Sequence, residues 1–395
     1  MSDNIRKKNI LIALTGAMEL GGVEKSLLGL LDSFDYDEFE VDLFLYGHHG
    51  ALYSLINKNV NILPEIKELA YLRESLSAKL KNGCYYSAFL RILDEVKKKF
   101  SPINYDKTWA KVMGKVAPKI DKHYDIALGF FRPFDFINEK VDADIKVGWV
   151  HTDYSTEKNN LESLKSDYDT VDYIAAVSQA CKESFLKVFP EYAHKTIVIE
   201  NVLPKQLIKI QKSEFDTSAE MPEKGIKLLS VGRYCTAKNF DNVPEICSKL
   251  IASGLDVYWY IIGFGADENL IKEKIKEFGM EDRVVLLGKK ENPYPYISAC
   301  DLYVQPSRYE GKAVTVREAQ MLEKPVVITN YATSASQLEN GVDGIVVPMD
   351  NRGCAEGIAA LLNNPEKINE LIANCRKNDY SNMDEVNKLK LLSKV

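Results

Sequence analysis

The chain has 395 residues, of which 46% are hydrophobic and 27% charged, and a formal net charge of −6. This is the balance of a soluble globular protein and not of a polybasic nucleic-acid binder, so nucleic acid is not an expected partner. The length exceeds what one hydrophobic core usually serves and predicts two domains of roughly 150–200 residues each.

Short apolar runs alternate with longer amphipathic segments, which predicts α/β domains, each a doubly wound parallel sheet with helices on both faces. The first run, Ile10 to Leu14, follows Arg6-Lys7-Lys8. It is too short for an export signal and lacks a small-residue cleavage site, so it predicts a buried strand over 9–14. Thr15-Gly16 and then Gly21-Gly22 lead into an amphipathic segment. Glycines before a helix let phosphate or sugar come close to backbone N–H groups, and a plain tight turn uses them equally well. Strands are predicted next over 41–46 and 60–63.

Between Glu65 and Phe100 the chain is apolar and Lys-rich by turns, ending in Lys97-Lys98-Lys99. Such a stretch suits either a helix with one face on the core or contact with an anionic membrane surface. Strands follow over 124–129, 145–150, 172–177 and 196–200. His151 closes the run Gly148-Trp149-Val150, and a histidine at a strand end suits a structural hydrogen bond or a ligand-facing role. Three Asp-x-Asp triplets, Asp35/Asp37, Asp142/Asp144 and Asp167/Asp169, could hold a divalent cation on a diphosphate, but all fall in predicted turns or helix flanks, where acidic pairs are ordinary. No HExxH or His/Cys cluster accompanies them, so no metal cofactor is expected.

From Leu203 to Lys224 the sequence turns polar, with Pro204 and Pro222, and is predicted to link the domains. Strands of the second half are predicted over 226–231, 256–262, 283–287, 301–304, 325–329 and 345–347. The boundaries are thus 1–203 for an N-terminal Rossmann-like domain, 204–224 for the linker and 225–370 for a C-terminal one. The Lys-rich helical tail 371–395 could pack back on the first domain. Two such domains are expected to face each other across a cleft lined by strand ends.

After the run Ile226 to Leu229 comes Gly232-Arg233-Tyr234-Cys235-Thr236-Ala237-Lys238. Its two cations suit a diphosphate at the cleft, or else belong to a solvated loop. Gly263-Phe264-Gly265 lacks the third glycine of a dinucleotide fingerprint and predicts no NAD site. The richest stretch is Ser307 to Ala319, where Glu310 and Glu318 stand eight positions apart across a loop that opens a helix. A carboxylate accepts hydrogen bonds and donates none, so each Glu suits the paired O–H donors of a diol, one on a sugar and one on ribose. Gly311 admits a ligand close to the backbone, and the N–H groups of Lys312, Ala313 and Val314 lie where a helix start attracts phosphate. Glu318 could instead pair with Arg317 or Lys324, and Glu310 could simply be solvated.

Seven cysteines, irregularly spaced and without a CxxC pair, predict reduced thiols in a cytosolic protein and neither disulfides nor structural zinc. No apolar run approaches the ~18 residues of a membrane-spanning helix.

The Glu310/Glu318 element, with the Arg233/Lys238 loop upstream, resembles the family-4 retaining glycosyltransferases, which have the two-domain GT-B fold; the likeness is specific from about Lys224 to Asn364. The resemblance implies that Glu310 and the amides after it hold the donor sugar, that Glu318 holds the ribose, and that Arg233 and Lys238 neutralise the leaving diphosphate. It also implies that Gly21, Gly22 and His151 face the donor, with Arg233, Lys238, Glu310 and His151 in the catalytic role. The implied activity is metal-independent, retaining transfer of a hexosyl group from a UDP- or GDP-sugar to a hydroxyl of a glycan or lipid-linked acceptor, in surface polysaccharide or glycolipid synthesis. The expected location is cytoplasmic, with a peripheral position at the inner membrane face as an option. The family's Glu-Gly-Phe-Gly-Leu-Pro reads Glu310-Gly311-Lys312-Ala313-Val314-Thr315 here, so donor preference does not carry over. A nucleotide-sugar-binding protein without turnover, or an epimerase acting on the sugar nucleotide alone, would keep the same motifs.

Overall fold

The structure, a computed structural model, describes residues 6–19, 21–72, 74–97, 105–151, 154, 161–310 and 313–392. The chain divides into two compact units, Met1–Pro204 with Asn382–Val395, and Lys205–Ser381.

The first unit is built on β1 (Lys8–Leu14), β2 (Phe39–Leu45), β3 (Asn61–Ile62), β4 (His123–Gly129), β5 (Asp142–Val150), β6 (Tyr173–Ala176) and β7 (Thr196–Val198). They form one sheet in the order β3-β2-β1-β4-β5-β6-β7, every pairing parallel. Ile10, Leu11 and Ile12 at its centre are fully buried, as apolar runs covered on both faces should be. An aromatic cluster around Tyr168, Phe185, Phe189 and Tyr192 packs beneath the helices. Asp42 lies inside, where Tyr124 Oη (2.6 Å), Lys122 Nζ (3.1 Å) and Asn61 Nδ2 (2.8 Å) all donate to it, which satisfies a charge that would otherwise be costly to bury.

The second unit is built on β8 (Ile226–Val231), β9 (Val257–Ile262), β10 (Val284–Gly288), β11 (Leu302–Gln305), β12 (Val326–Thr329) and β13 (Ile345–Val347). Its sheet is also parallel, in the order β10-β9-β8-β11-β12-β13. Strand order reverses between β8 and β11, and in such sheets ligands gather at the carboxyl ends beside that reversal.

The stretch 204–224 is not an open connector. A helix spans Lys205–Gln211, with Leu207 and Ile208 buried, and Glu220 takes bonds from Lys290 Nζ (2.6 Å) and Tyr296 Oη, so the stretch packs as part of the second unit. The tail divides too. Helix Pro365–Lys377 buries Leu371 and Cys375 in the second unit, whereas residues from Asn382 onward pack on the first, where Glu200 N–H donates to Glu385 (2.7 Å) and Lys390 reaches Glu38 (2.5 Å). All seven cysteines are unpaired and six are buried. Among the described residues no helix is long and apolar enough to cross a membrane.

Candidate functional site

At the end of β8 the chain leaves the sheet at Gly232 and runs through Arg233, buried Tyr234 and a short turn, Thr236–Lys238. Two bonds fasten this loop to its neighbour after β9: Gly232 N–H donates to Ile262 O (3.0 Å) and Tyr234 N–H to Phe264 O (2.9 Å). The approach is close enough to demand glycine, since a Cβ on Gly263 would stand 1.9 Å from Gly232 O and one on Gly265 2.3 Å from Tyr234 O. The Gly263-Phe264-Gly265 pair therefore has a packing reason.

On the other side the loop is fastened to the segment after β11. Asn239, buried and left-handed at φ 60°, donates from Nδ2 to Pro306 O (2.9 Å); asparagine is one of the few side chains that tolerate this conformation. Arg308 N–H donates to Ala237 O (2.8 Å), and its guanidinium forks onto both oxygens of Asp241 (2.8 and 2.7 Å).

These clamps bring Lys238 against Glu310. Nζ lies 2.5 Å from Oε1, with the two side chains only 16% and 11% exposed. Ser307 Oγ donates to the same oxygen (2.6 Å), and Thr333 Oγ1 holds the Glu310 carbonyl (2.7 Å). Behind Ser307 a buried chain runs from Tyr303 Oη through Gln305 to Ser307 Oγ (2.9 and 3.0 Å). Both contacts to the carboxylate reach Oε1, so Oε2 receives no hydrogen bond from a described residue. An ammonium carries three N–H donors, and the ion pair engages one. Arg233 is exposed and has no hydrogen-bond or ion-pair partner among the described residues. Close by, the buried Tyr331 hydroxyl also lacks a partner among them; burial and the Glu310 charge raise its pKa, so it stays a donor.

Glu318 sits on helix Val314–Met321 and is buried, with Tyr294 Oη donating to its Oε1 (2.8 Å). Burial and that carboxylate push the Tyr294 phenol up, which keeps its proton in place. The Ala313 N–H, expected to be open to phosphate, donates instead to Gln337 Oε1 (2.7 Å), because the buried Gln337 amide is turned onto the Ala313 backbone and its Nε2 reaches Ala313 O (3.3 Å). Val314 is the first helical residue and partly exposed. Gly311 and Lys312 lie outside the described residues.

In the first unit, His151 follows β5 with Nε2 2.7 Å from Phe130 O. A carbonyl only accepts, so Nε2 carries the proton and Nδ1 is left as an acceptor. Burial lowers the His151 pKa to about 4, and the imidazole is neutral at physiological pH. Gly21 caps helix Gly22–Ser33 with no side-chain hydrogen bond, and a Cβ on Gly22 would meet nothing within 4 Å. The Asp-x-Asp triplets are engaged elsewhere. Asp35 accepts from Asp37 N–H, Asp142 and Asp144 hold the two nitrogens of His123, Asp167 pairs with Arg132, and Asp169 accepts from Tyr192 Oη.

Of the residues predicted for the second unit, Lys238 and Glu310 touch, Arg233 shares the loop of Lys238, and Glu318 is held by a partner that sequence reasoning missed. Ser307, Thr333, Arg308, Asn239 and Gln337 were missed as well. Only Ser307 had a signal, its position three residues before Glu310 in a strand-end turn.

Two parallel Rossmann-like units, one of them with charged loops at its central strand ends, define an α/β fold of the GT-B glycosyltransferase kind. Residues 211–378 match the family described as glycosyl transferases group 1. An uncharacterized glycosyltransferase of Haemophilus influenzae is 28% identical over 233 residues, 57% of this chain and 63% of its own. The N-acetylgalactosamine-N,N'-diacetylbacillosaminyl-diphospho-undecaprenol 4-alpha-N-acetylgalactosaminyltransferase of Campylobacter jejuni is 27% identical over 244 residues, 58% of this chain and 62% of its own. The chain thus spans a little over three fifths of the length of these curated relatives. In overall fold it is similar to HepE of Anabaena, solved with UDP and glucose, at a TM-score of 0.61 and 17% identity, over 98% of this chain and all of the other.

Proposed function

We propose that the protein is a retaining glycosyltransferase that moves a hexosyl group from a nucleotide sugar, preferentially a UDP-sugar, to a hydroxyl of a glycan or lipid-linked acceptor, without a metal ion. The observation that carries this reading is the Lys238–Glu310 pair, with Arg233, which has no partner among the described residues, on the Lys238 loop, within the segment that matches group 1 glycosyl transferases. Glu310 keeps one carboxylate oxygen for a sugar hydroxyl. Arg233 and the two remaining Lys238 donors take the diphosphate, and Glu318, oriented by Tyr294, takes the ribose diol. As the bond from sugar to diphosphate loosens, the sugar gains oxocarbenium character and negative charge grows on the leaving group. Fixed cations opposite that charge lower the barrier electrostatically. The acceptor hydroxyl attacks from the face the diphosphate leaves, which retains configuration without a carboxylate nucleophile. UDP as donor nucleotide accords with the UDP bound in HepE, and a polyprenyl-diphosphate acceptor with the name of the Campylobacter relative.

The test is to incubate the purified chain with UDP- and GDP-sugars, with and without a polyprenyl-diphosphate-linked oligosaccharide, and to read nucleotide release and product anomer. Turnover should need acceptor, survive EDTA and keep the donor's configuration. Arg233→Ala should keep the native Tm, since that side chain holds no described residue, and lower turnover by on the order of a hundredfold. Full turnover in that variant would remove the role given to Arg233. Binding without turnover would point to a non-catalytic protein, and a changed sugar nucleotide without acceptor to an epimerase.

A further inference from the structure

The second unit holds a cavity whose walls include no residue of the Arg233, Lys238 or Glu310 loops. It has a volume of about 600 Å³ and lies where β12 and β13 end, between Asn330, the short helix Ser334–Gln337 and the turn that leads into β13. Clefts that take small ligands run from about 300 to 1,000 Å³. Leu338, Val346 and Pro348 give it an apolar wall, and Asn330, Glu339 and Asn340 bring polar groups. The hydrogen bonds decide what those groups have to offer. Asn340 Oδ1 accepts from Val346 N–H (2.8 Å) and Asn330 Oδ1 from Ser334 Oγ (3.3 Å), so each amide has its Nδ2 left over, and neither Nδ2 has a partner among the described residues. Glu339 donates its backbone N–H to Asp343 (2.8 Å), while its carboxylate has no partner among them. The lining thus supplies N–H donors from two amides and the acceptor oxygens of one carboxylate.

That set selects its ligand by exclusion. The described residues of the lining include no Lys, Arg or His, so nothing there neutralises a phosphate, and the carboxylate repels one. They include no aromatic ring either, which leaves no platform for a nucleobase. An amine would gain the carboxylate but face the N–H groups of two amides, whose oxygens are already engaged. A sugar hydroxyl both donates and accepts. Neighbouring hydroxyls of a pyranose can therefore satisfy the carboxylate and the amide donors together, with the C–H face of the ring on the apolar wall. The same stretch of chain also steadies the Glu310 loop. Thr333 Oγ1, one residue before Ser334, donates to the Glu310 carbonyl (2.7 Å), and Gln337 Oε1 accepts from Ala313 N–H (2.7 Å).

We propose that this cavity binds a neutral pyranose, as a glycan subsite separate from the donor pocket. The place of that sugar in a glycan rests on the transferase reading; its binding does not. The test adds methyl α-D-glucopyranoside, methyl α-D-galactopyranoside or N-acetylglucosamine to the full chain, with and without UDP, and follows the methyl NMR signals of Leu338 and Val346. At least one of the three should shift both signals at millimolar concentration, equally with UDP present. Asn330→Ala with Glu339→Ala should weaken that binding by about tenfold or more. Tm and UDP affinity should hold in this double variant, since both side chains are exposed and neither belongs to the Glu310 loop. Signals that none of the three sugars moves, or binding that survives the double variant, would overturn the proposal. Displacement of the sugar by UDP would overturn it too, by placing the sugar in the donor pocket, as would an equal response to ethylammonium chloride, which would give the cavity to a cation. A chain that binds the sugar here yet transfers none would support this proposal and remove only the transferase reading.

Discussion

At the scale of single residues, the second unit holds two carboxylates in different ways. Glu310 is shared between an ammonium and a hydroxyl at one oxygen, whereas Glu318 is buried on a helix and steadied by a phenol. A donor to a buried carboxylate both offsets desolvation and fixes the direction of the remaining lone pairs. We expect Tyr294→Phe to raise the donor KM about tenfold with a smaller change in kcat, the magnitude of one hydrogen bond to a charged group. It should also narrow the preference for a ribonucleotide over its 2′-deoxy counterpart; an unchanged preference would show that Tyr294 acts only in packing. Both acids stood out in the sequence because two carboxylates flank a glycine-bearing loop. Tyr294 did not, since it lies 24 positions before Glu318 and meets it only once helix Tyr294–Ala299 has packed. Nor could spacing reveal that Gln337 claims the Ala313 N–H, because side-chain acceptors brought from a later loop leave no local trace.

At the scale of elements, all thirteen predicted strands form, with ends shifted by three residues or fewer, because each is a buried parallel strand that reads as an apolar run between polar turns. The stretch 204–224 was harder to read. Pro204 and Pro222 bracket a polar segment, and helix Lys205–Gln211 is too short for its two buried residues to register as a period. The glycines make a contrast that can be measured. Gly263 is hemmed in by the Gly232 carbonyl, while Gly22 opens onto free space at the start of a helix. Gly263→Ala should therefore lower Tm, by about 2 kcal/mol or more in stability, and disturb the Arg233 loop. Gly22→Ala should hold or slightly raise Tm, since alanine is the better helix former, and yet depress activity if a ligand comes close to the backbone there. Calorimetry and turnover measured on the pair would separate the two uses of glycine.

At the scale of the whole molecule, two sheets of seven and six parallel strands give each unit its own core. That division was legible from length and from the two sets of apolar runs; the exact partition of the tail was not, because Lys-rich helices on either side of residue 381 look alike in sequence. Val386, Leu389 and Leu392 are buried on the first unit, and the turn Met383–Glu385 packs against helix Gly22–Ser33. Deleting 382–395 should cost that unit about 5 kcal/mol, from three aliphatic side chains at 1.5–3 kcal/mol each. Hydrogen exchange should then rise in the first sheet and stay low in the second; a uniform rise would mean that the units unfold together.

The same return of the chain bears on birth at the ribosome. Residues up to Pro204 emerge before the second sheet and stay unfinished while it is synthesised, because the segment from Asn382 that completes their unit follows that sheet in the chain. The unit made second can mature first, and the unit begun before it depends meanwhile on whatever shields its uncovered apolar surface until the segment from Asn382 has emerged.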